Sequence, residues 1–459
     1  MARLTFRLDE IANRLHGRLY GRATAQVRGL AYDSRRCPRG ALFAALKGER
    51  ADGHDYAAEA IANGACAVLV ERKVALGPEA GMVIVECVEE AVRELGIMAR
   101  EAFRGTVVGV VGSTGKTTTK DFTASLLAEQ GVVDSTPGNR NNLLGLPETL
   151  MEADTDADFW VLELGISRPG EMELLAPIAR PTTVVFTNIR PVHTEFFPSL
   201  EAILEEKAKV LRFTRGERRL ILNGDDSLLA QMDLPPGFET VTYGKGKEND
   251  VVVSAGSSTS PEGVPFVISA GAKRAEGTLG VPGLFNLENF AAAAATAISS
   301  GLAVERAASA AATLRTGAHR SITRKLSGDV LLLDDSYNSN PAAMASVIAE
   351  TSRWKRRVVA ALGEMLELGE ISAEKHAEIG RLCAESGVAA LLAVGGSVAG
   401  EMADAFRASG RPCLFVKDWR EGVEWFYELI KGGDCVLVKG SRGIGLDGLV
   451  EWLLERRRG

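Results

Sequence analysis

Six cysteines in 459 residues, none at CxxC spacing, are too few and too scattered for a disulfide framework or a zinc site. Cys37, Cys66, Cys87, Cys383, Cys413 and Cys435 fall partly in strand-like apolar runs, so buried free thiols are expected. No stretch approaches the roughly 20 apolar residues that a membrane-spanning helix needs. The N-terminal run from Met1 to Leu8 leads into Asp9 and Glu10 and not into an apolar signal segment. A soluble, cytoplasmic chain is the expectation. An excess of positive charge is missing too: 53 Lys and Arg against 60 Asp and Glu leave a net charge of -7, which excludes a global field favouring nucleic acid. Internal repeats, low-complexity tracts and long linkers are absent from the sequence.

What is present is globular composition, 46% hydrophobic and 25% charged, at a length where one core gives way to several domains. The pattern from Leu30 to Arg72 reads as a small α/β unit, with a Gly-rich loop at Gly48 to His54, a helical segment at Tyr56 to Asn63 and an apolar strand from Cys66 to Val70. A helix from Val88 to Ala102 leads to a fully apolar strand, Val107 to Val111. Strand-like runs at Phe159 to Leu164, Thr183 to Thr187 and Arg219 to Leu222 then alternate with helical segments, as a mostly parallel sheet covered on both faces requires. A more polar β-rich patch follows at Val251 to Thr278, and an Ala-rich helix at Leu287 to Ser299 ends before Gly301. After Arg315 the alternation restarts, with strands at Val330, Val358, Ala389 and Cys435 and helices from Pro341 and Ser372. The expected architecture is α/β in three domains, 1–87, 88–314 and 315–459, the last of Rossmann-like pattern.

The strongest local signal is Gly109-Val110-Val111-Gly112-Ser113-Thr114-Gly115-Lys116-Thr117-Thr118. An apolar strand running into a Gly-rich turn and a helix aims backbone N–H groups and the helix dipole at a phosphate. Gly112 to Thr118 would wrap the phosphates, with Lys116 on the outer ones and Thr117 on a magnesium ion. Glu163, at the end of an apolar strand, suits the same ion; standing alone it would read as a solvated strand end. His193, after the next strand, would by itself be structural, and Lys207 in Leu204-Glu205-Glu206-Lys207-Ala208-Lys209 would be one more cation on an exposed helix.

The ordinary GxxxxGK[ST] spacing puts glycine at position 110, where this chain has Val110; its glycines fall instead at Gly109, Gly112 and Gly115. This GxxGxxGK[ST] form resembles the Mur ligases and folylpolyglutamate synthetases, which join a carboxylate to an amine at the expense of ATP. Asp33-Ser34-Arg35 and Gly48-Glu49-Arg50-Ala51-Asp52-Gly53-His54 resemble the uridine-nucleotide module of the later Mur ligases, which the synthetases lack. Gly138-Asn139-Arg140-Asn141-Asn142, Leu362-Gly363-Glu364-Met365 with Glu367-Leu368-Gly369, and Val438-Lys439-Gly440-Ser441-Arg442 are similar to the dipeptide-adding branch, which joins D-alanyl-D-alanine to UDP-MurNAc-tripeptide in peptidoglycan synthesis. The alternative is the tripeptide-forming branch; the arginine motif of its diaminopimelate-adding members is not found.

The resemblance implies a uridine-nucleotide domain, a central ATP-binding domain and a C-terminal ligase domain, working through an acyl-phosphate; a three-domain closing enzyme of this kind can work as a monomer. It implies catalytic roles for Lys116, Glu163, His193 and Lys207, and magnesium, two ions, on Thr117, Glu163, His193 and a carbamylated Lys207. Lys209 stands where the family commonly has an acid. ATP would meet Asn286 and Asn289 in a GxHNxxN-like segment that carries Phe285 in place of histidine, with Asn289 at the adenine. Asp335 would hold the ribose, Arg320 the γ-phosphate, and Tyr337 would lie near the base or phosphates. Ser34 and Arg35 would contact the uridine nucleotide and Asn139 and Asn141 the muramoyl peptide. Lys439, Ser441 and Arg442 would lie near the incoming dipeptide.

Overall fold

The computed structural model describes residues 3–77, 79–256 and 260–457, so Met1 and Ala2 of the N-terminal run and 257–259 of the β-rich patch lie outside the described residues. Short apolar runs, too short for helices, supply the central strands of three larger sheets, beside a two-stranded antiparallel pair of Phe6–Arg7 and Gln26–Val27. The first has five strands in the spatial order Arg18–Tyr20, Gly81–Ile84, Ala67–Val70, Leu42–Ala44 and Leu30–Ala31, parallel except at the Arg18–Tyr20 edge.

Helix Val88–Ala102 follows and packs on the central domain. Gly96 allows the approach: a Cβ there would sit 2.7 Å from Ile178 Cγ2 and 3.2 Å from Pro147 Cα. The Tyr32 hydroxyl donates to the Leu144 carbonyl at 2.8 Å, adding a hydrogen bond between the first sheet's domain and the second.

The central sheet has nine strands. Their order is Lys273–Leu279, Val264–Ala270, Val251–Ala255, Glu239–Gly244, Arg219–Asn223, Thr183–Phe186, Thr106–Val111, Phe159–Glu163 and Val133–Ser135. Pairing is parallel from Val133–Ser135 through Val251–Ala255, and the β-rich patch completes an antiparallel edge. Along Val264–Ala270, buried Val264, Phe266 and Ile268 alternate with more exposed residues, the period-two signature of a sheet wet on one side. Charged Lys273, Arg274 and Glu276 on the last strand protect that edge from further pairing.

Helix Leu284–Ser299 crosses beneath this sheet with Ala291 to Ala295 buried, small side chains that let it lie close to helix Lys116–Leu127. The third sheet has six strands, Ile322–Leu326, Val330–Asp335, Cys435–Lys439, Val358–Gly363, Ala390–Val394 and Cys413–Val416, parallel apart from the first. Asn340 caps helix Pro341–Thr351 through Ala343 N, with proline at its first position, as the sequence leads one to expect.

All six cysteines are free thiols. Cys37, Cys383 and Cys435 are buried, whereas Cys66, Cys87 and Cys413 are half-buried, so the expected burial holds for three of them. Among the described residues no helix is long and apolar enough to cross a membrane.

Candidate active site

Strand Thr106–Val111 ends in a turn that enters helix Lys116–Leu127 with Gly115 as N-cap at φ 77°. No side chain caps that helix, which leaves its leading N–H groups available to an anion. Glycine is required at two points. A Cβ on Gly112, at φ 148°, would fall 1.9 Å from Thr187 Oγ1, and one on Gly115 would fall 2.1 Å from Asn289 Oδ1.

The turn is shaped from outside by the segment after strand Thr183–Phe186. Thr187 Oγ1 donates to the Thr114 carbonyl at 2.7 Å, and Asn188 Oδ1 accepts from Thr114 N and Oγ1 at 3.1 and 3.0 Å. Ser113 exchanges hydrogen bonds with the Arg190 backbone, and the Arg190 guanidinium rests on buried Asp226 at 2.8 Å. Thr187, Asn188 and Asp226 were not singled out by the sequence; Asn188 alone left a signal, as a polar residue at a strand end beside the histidine segment.

Lys116 folds back over the loop, donating to the carbonyls of Gly112 and Ser113 at 2.9 and 3.1 Å. Burial lowers its pKa; the nearby Glu163 charge opposes that, and the Arg320 charge adds to it. The Thr117 hydroxyl donates to Glu163 Oε2 at 2.7 Å, and Asn141 Nδ2 donates to Oε1 at 2.6 Å, so the strand-end carboxylate is buried and hydrogen-bonded on both oxygens. Asn141 is thereby held on Glu163, while Asn139 is exposed on the loop before it.

Lys207 is not an exposed helix cation. It is 1% exposed, with no hydrogen-bond or ion-pair partner among the described residues. Burial first, then the Lys116 charge, push its ammonium well below the ordinary lysine value against the opposing pull of Glu206. Lys209 is paired with Glu206 at 2.8 Å and Glu173 at 3.6 Å, so the departure at position 209 brings no unpaired cation. His193 feels both Lys116 and Lys207, and burial holds its pKa below the usual histidine value despite Glu367 at 2.7 Å.

Lys116, Thr117, Glu163, His193 and Lys207 thus share one centre. Among the described residues no three His, Cys, Asp or Glu side chains form a preformed metal cage. Magnesium does not need one: it keeps several waters and takes one or two carboxylates plus substrate phosphates. Convergent Thr117 and Glu163 oxygens beside a phosphate loop fit that demand.

The third domain reaches the same place. Arg320 lies over the Tyr337 ring, 3.9 Å from its centroid, with Arg442 near the same ring at 5.0 Å. Asn289 is pressed on Gly115 and bonds weakly to Thr119 Oγ1 and Asn286, at 3.4 Å each. Phe285, in the position of the usual histidine, packs instead against the third domain's core, and Leu284 N donates to Glu350 Oε2 at 3.3 Å.

Other expected contacts are already engaged within the chain. Asp335 accepts from Lys439 Nζ at 2.6 Å and from Ser321 N at 2.9 Å. Lys439 is 3% exposed and supports Asp335 in this arrangement; Ser441 is buried too, accepting from Leu366 N at 3.0 Å. Ser34 is buried and donates to Glu59 at 2.8 Å, while Arg35 is exposed beside Asp33.

Comparison with known proteins agrees with this geometry. Models of the Mur ligase family, catalytic domain, the Mur ligase middle domain and the Mur ligase, glutamate ligase domain match residues 26–103, 110–297 and 319–442. The UDP-N-acetylmuramoyl-tripeptide–D-alanyl-D-alanine ligase of Bacillus subtilis (strain 168) is 33% identical, over 94% of this chain and 93% of that one. Its namesake in Escherichia coli (strain K12) is 30% identical over 84% and 85%. A crystal structure of MurF from Acinetobacter baumannii superposes with a TM-score of 0.88 at 26% identity, covering 99% of this chain and 100% of that one. MurF ligase from Thermotoga maritima, in complex with ADP, superposes at 0.80 with 29% identity over 94% and 97%. A UDP-N-acetylmuramoyl-L-alanyl-D-glutamate–2,6-diaminopimelate ligase, 21% identical, superposes at 0.54 over 96% and 94%. With a phosphate loop, a buried carboxylate centre and relatives spanning nearly its whole length, this chain belongs to the Mur ligase family.

Proposed function

We propose that this enzyme joins D-alanyl-D-alanine to the free carboxylate of UDP-MurNAc-tripeptide, converting ATP to ADP and phosphate through an acyl-phosphate. The observation that carries the reading is the joint presence of the Lys116, Glu163, His193 and Lys207 centre and near-full-length identity to ligases named for that reaction. The tripeptide-forming alternative has less behind it, since the diaminopimelate-adding fold superposes at 0.54 against 0.88 for MurF.

The chemical problem is to bring a carboxylate to a phosphate. Lys116 and the leading N–H groups of helix Lys116–Leu127 hold the triphosphate, with Arg320 added from the third domain. Asn286 and Asn289 border the adenine side, Tyr337 supports Arg320, and Asp335, fixed by Lys439, takes the ribose. Thr117, Glu163, His193 and Lys207 would hold magnesium, which supplies screening between the two anions. A neutral Lys207 amine is the form that accepts carbon dioxide, and its burial favours that form.

The carboxylate oxygen bonds to the γ-phosphorus as the bond to the β-phosphate oxygen breaks. The dipeptide amine then attacks the acyl carbon, loses a proton and expels phosphate. Arg35 and Asn139, both exposed, would meet the nucleotide sugar and peptide, and exposed Arg442 the dipeptide. We place the domain limits at 87/88 and 314/315, where helix Val88–Ala102 joins the central domain and the third sheet's first strand begins shortly after. Free thiols and an ATP requirement fit a cytoplasmic enzyme, and one chain supplies every side chain named, which fits a monomer.

The test is phosphate release from purified enzyme with ATP, magnesium, UDP-MurNAc-tripeptide and a panel of amines. Release that requires the tripeptide and D-alanyl-D-alanine supports the assignment. Release with UDP-MurNAc-dipeptide and a single amino acid instead would move it to the tripeptide-forming branch.

A further inference from the structure

Glu367 has no assigned role, yet it touches the centre. It lies between strand Val358–Gly363 and helix Ser372–Glu385 of the third domain, and its Oε2 is 2.7 Å from His193 Nδ1 in the central domain. The contact continues along both chains. Thr194 Oγ1 donates to the Leu368 carbonyl at 3.1 Å, and a Cβ on Gly369 would lie 3.5 Å from Glu195 Cα. Residues 367–369 are thus seated on residues 193–195. His193 and Glu367 both adopt left-handed backbone, φ 53° and 63°, a conformation that side-chained residues avoid and that here accompanies the contact between the two side chains.

A carboxylate can only accept, so the shared proton belongs on Nδ1. The other ring nitrogen, Nε2, has no protein partner among the described residues and keeps its lone pair. Histidines that bind metals commonly donate their second N–H to a carboxylate, which fixes tautomer and ring orientation. In this chain that carboxylate comes from a different domain than the imidazole.

We infer that Glu367 is a positioning residue, which fixes His193 in its Nδ1–H form for a divalent ion when the third domain is seated on the central one. The metal centre is then complete only in the closed arrangement. This deepens the proposed function and rests on its reading of His193 as a ligand.

The experiment titrates Mn2+, detected by electron paramagnetic resonance, into full-length enzyme holding a non-hydrolysable ATP analogue. Glu367→Ala should weaken Mn2+ binding about 10–100-fold, and Glu367→Gln, whose amide oxygen still accepts, should lose less. His193→Ala should lose at least as much as Glu367→Ala, and the double variant no more than His193→Ala. Wild-type Mn2+ affinity in Glu367→Ala, with affinity lost in His193→Ala, would overturn the inference and leave the metal site standing. Unchanged affinity in His193→Ala would overturn the ligand role itself, and the inference with it. Additive losses in the double variant would show that Glu367 acts by another route, and would also overturn it.

Discussion

Replacing Lys439 by Met should destabilise the third domain by about 3–5 kcal/mol, the usual cost of removing one partner from a buried ion pair. Its Nζ is 2.6 Å from Asp335 Oδ2, with the two side chains 4% and 13% exposed. At an effective dielectric of about 20, that separation corresponds to a gross attraction of roughly 6 kcal/mol. Desolvation of both charges offsets part of it, so the larger effect comes from the carboxylate left behind. Ser321 N, at 2.9 Å, would remain as a neutral donor.

Adding Asp335→Asn removes the stranded charge, so the double variant should recover most of the loss. Four of the five tryptophans, Trp354, Trp419, Trp425 and Trp452, lie in the third domain, so the urea midpoint of tryptophan fluorescence reports this unit. Kinetics on the same protein separate the roles: the KM for ATP should rise while that for D-alanyl-D-alanine stays near wild type. An equal cost for Lys439→Met with and without Asp335→Asn, or a dipeptide KM that rises alone, would refute the reasoning.

Lys116→Ala should lower the rate of phosphate release about 10²–10³-fold or more, the scale of losing a preorganised group aimed at developing charge, with an unchanged circular-dichroism spectrum. Gly115→Ala should cost about 1–2 kcal/mol for left-handed backbone and about 1–3 kcal/mol for overpacking against Asn289, seen as a lower thermal midpoint and weaker nucleotide binding. Lys207 gives a pH signature. Because its folded pKa is depressed, unfolding takes up a proton between that value and the ordinary lysine pKa, and stability rises with pH across this window. In buffer free of carbon dioxide, the stability gained by Lys207→Met should therefore be greatest near neutral pH and shrink towards pH ~10. Chelation with EDTA should stop turnover and added magnesium restore it, with no change in the far-ultraviolet spectrum.

The middle of the central sheet was legible because strands Thr106–Val111, Phe159–Glu163, Thr183–Phe186 and Arg219–Asn223 are largely apolar runs, and the phosphate turn is written in consecutive residues. Short strands such as Gln26–Val27 and Leu30–Ala31 carry no readable period, and polar edge strand Val133–Ser135 looks like loop. Thr117 and Glu163 could be named from local pattern, since each follows directly from its strand or turn. Burial of Lys207 could not: a lysine among glutamates on a helix reads as solvated until the helix is placed against the loop. Glu367 was quoted as part of a family segment but given no role, because its partner lies 174 positions away and two domains must meet first. The partners of Lys439 and Asn141 were equally illegible: each holds a carboxylate, Asp335 or Glu163, far from it in sequence.

The central claim is that a carboxylate oxygen of the tripeptide passes to phosphorus. UDP-MurNAc-tripeptide labelled with 18O in its terminal carboxylate, turned over with ATP and D-alanyl-D-alanine, tests it directly by mass spectrometry of the released phosphate. One 18O atom per phosphate is the predicted result. Unlabelled phosphate, or label recovered in AMP, would contradict it.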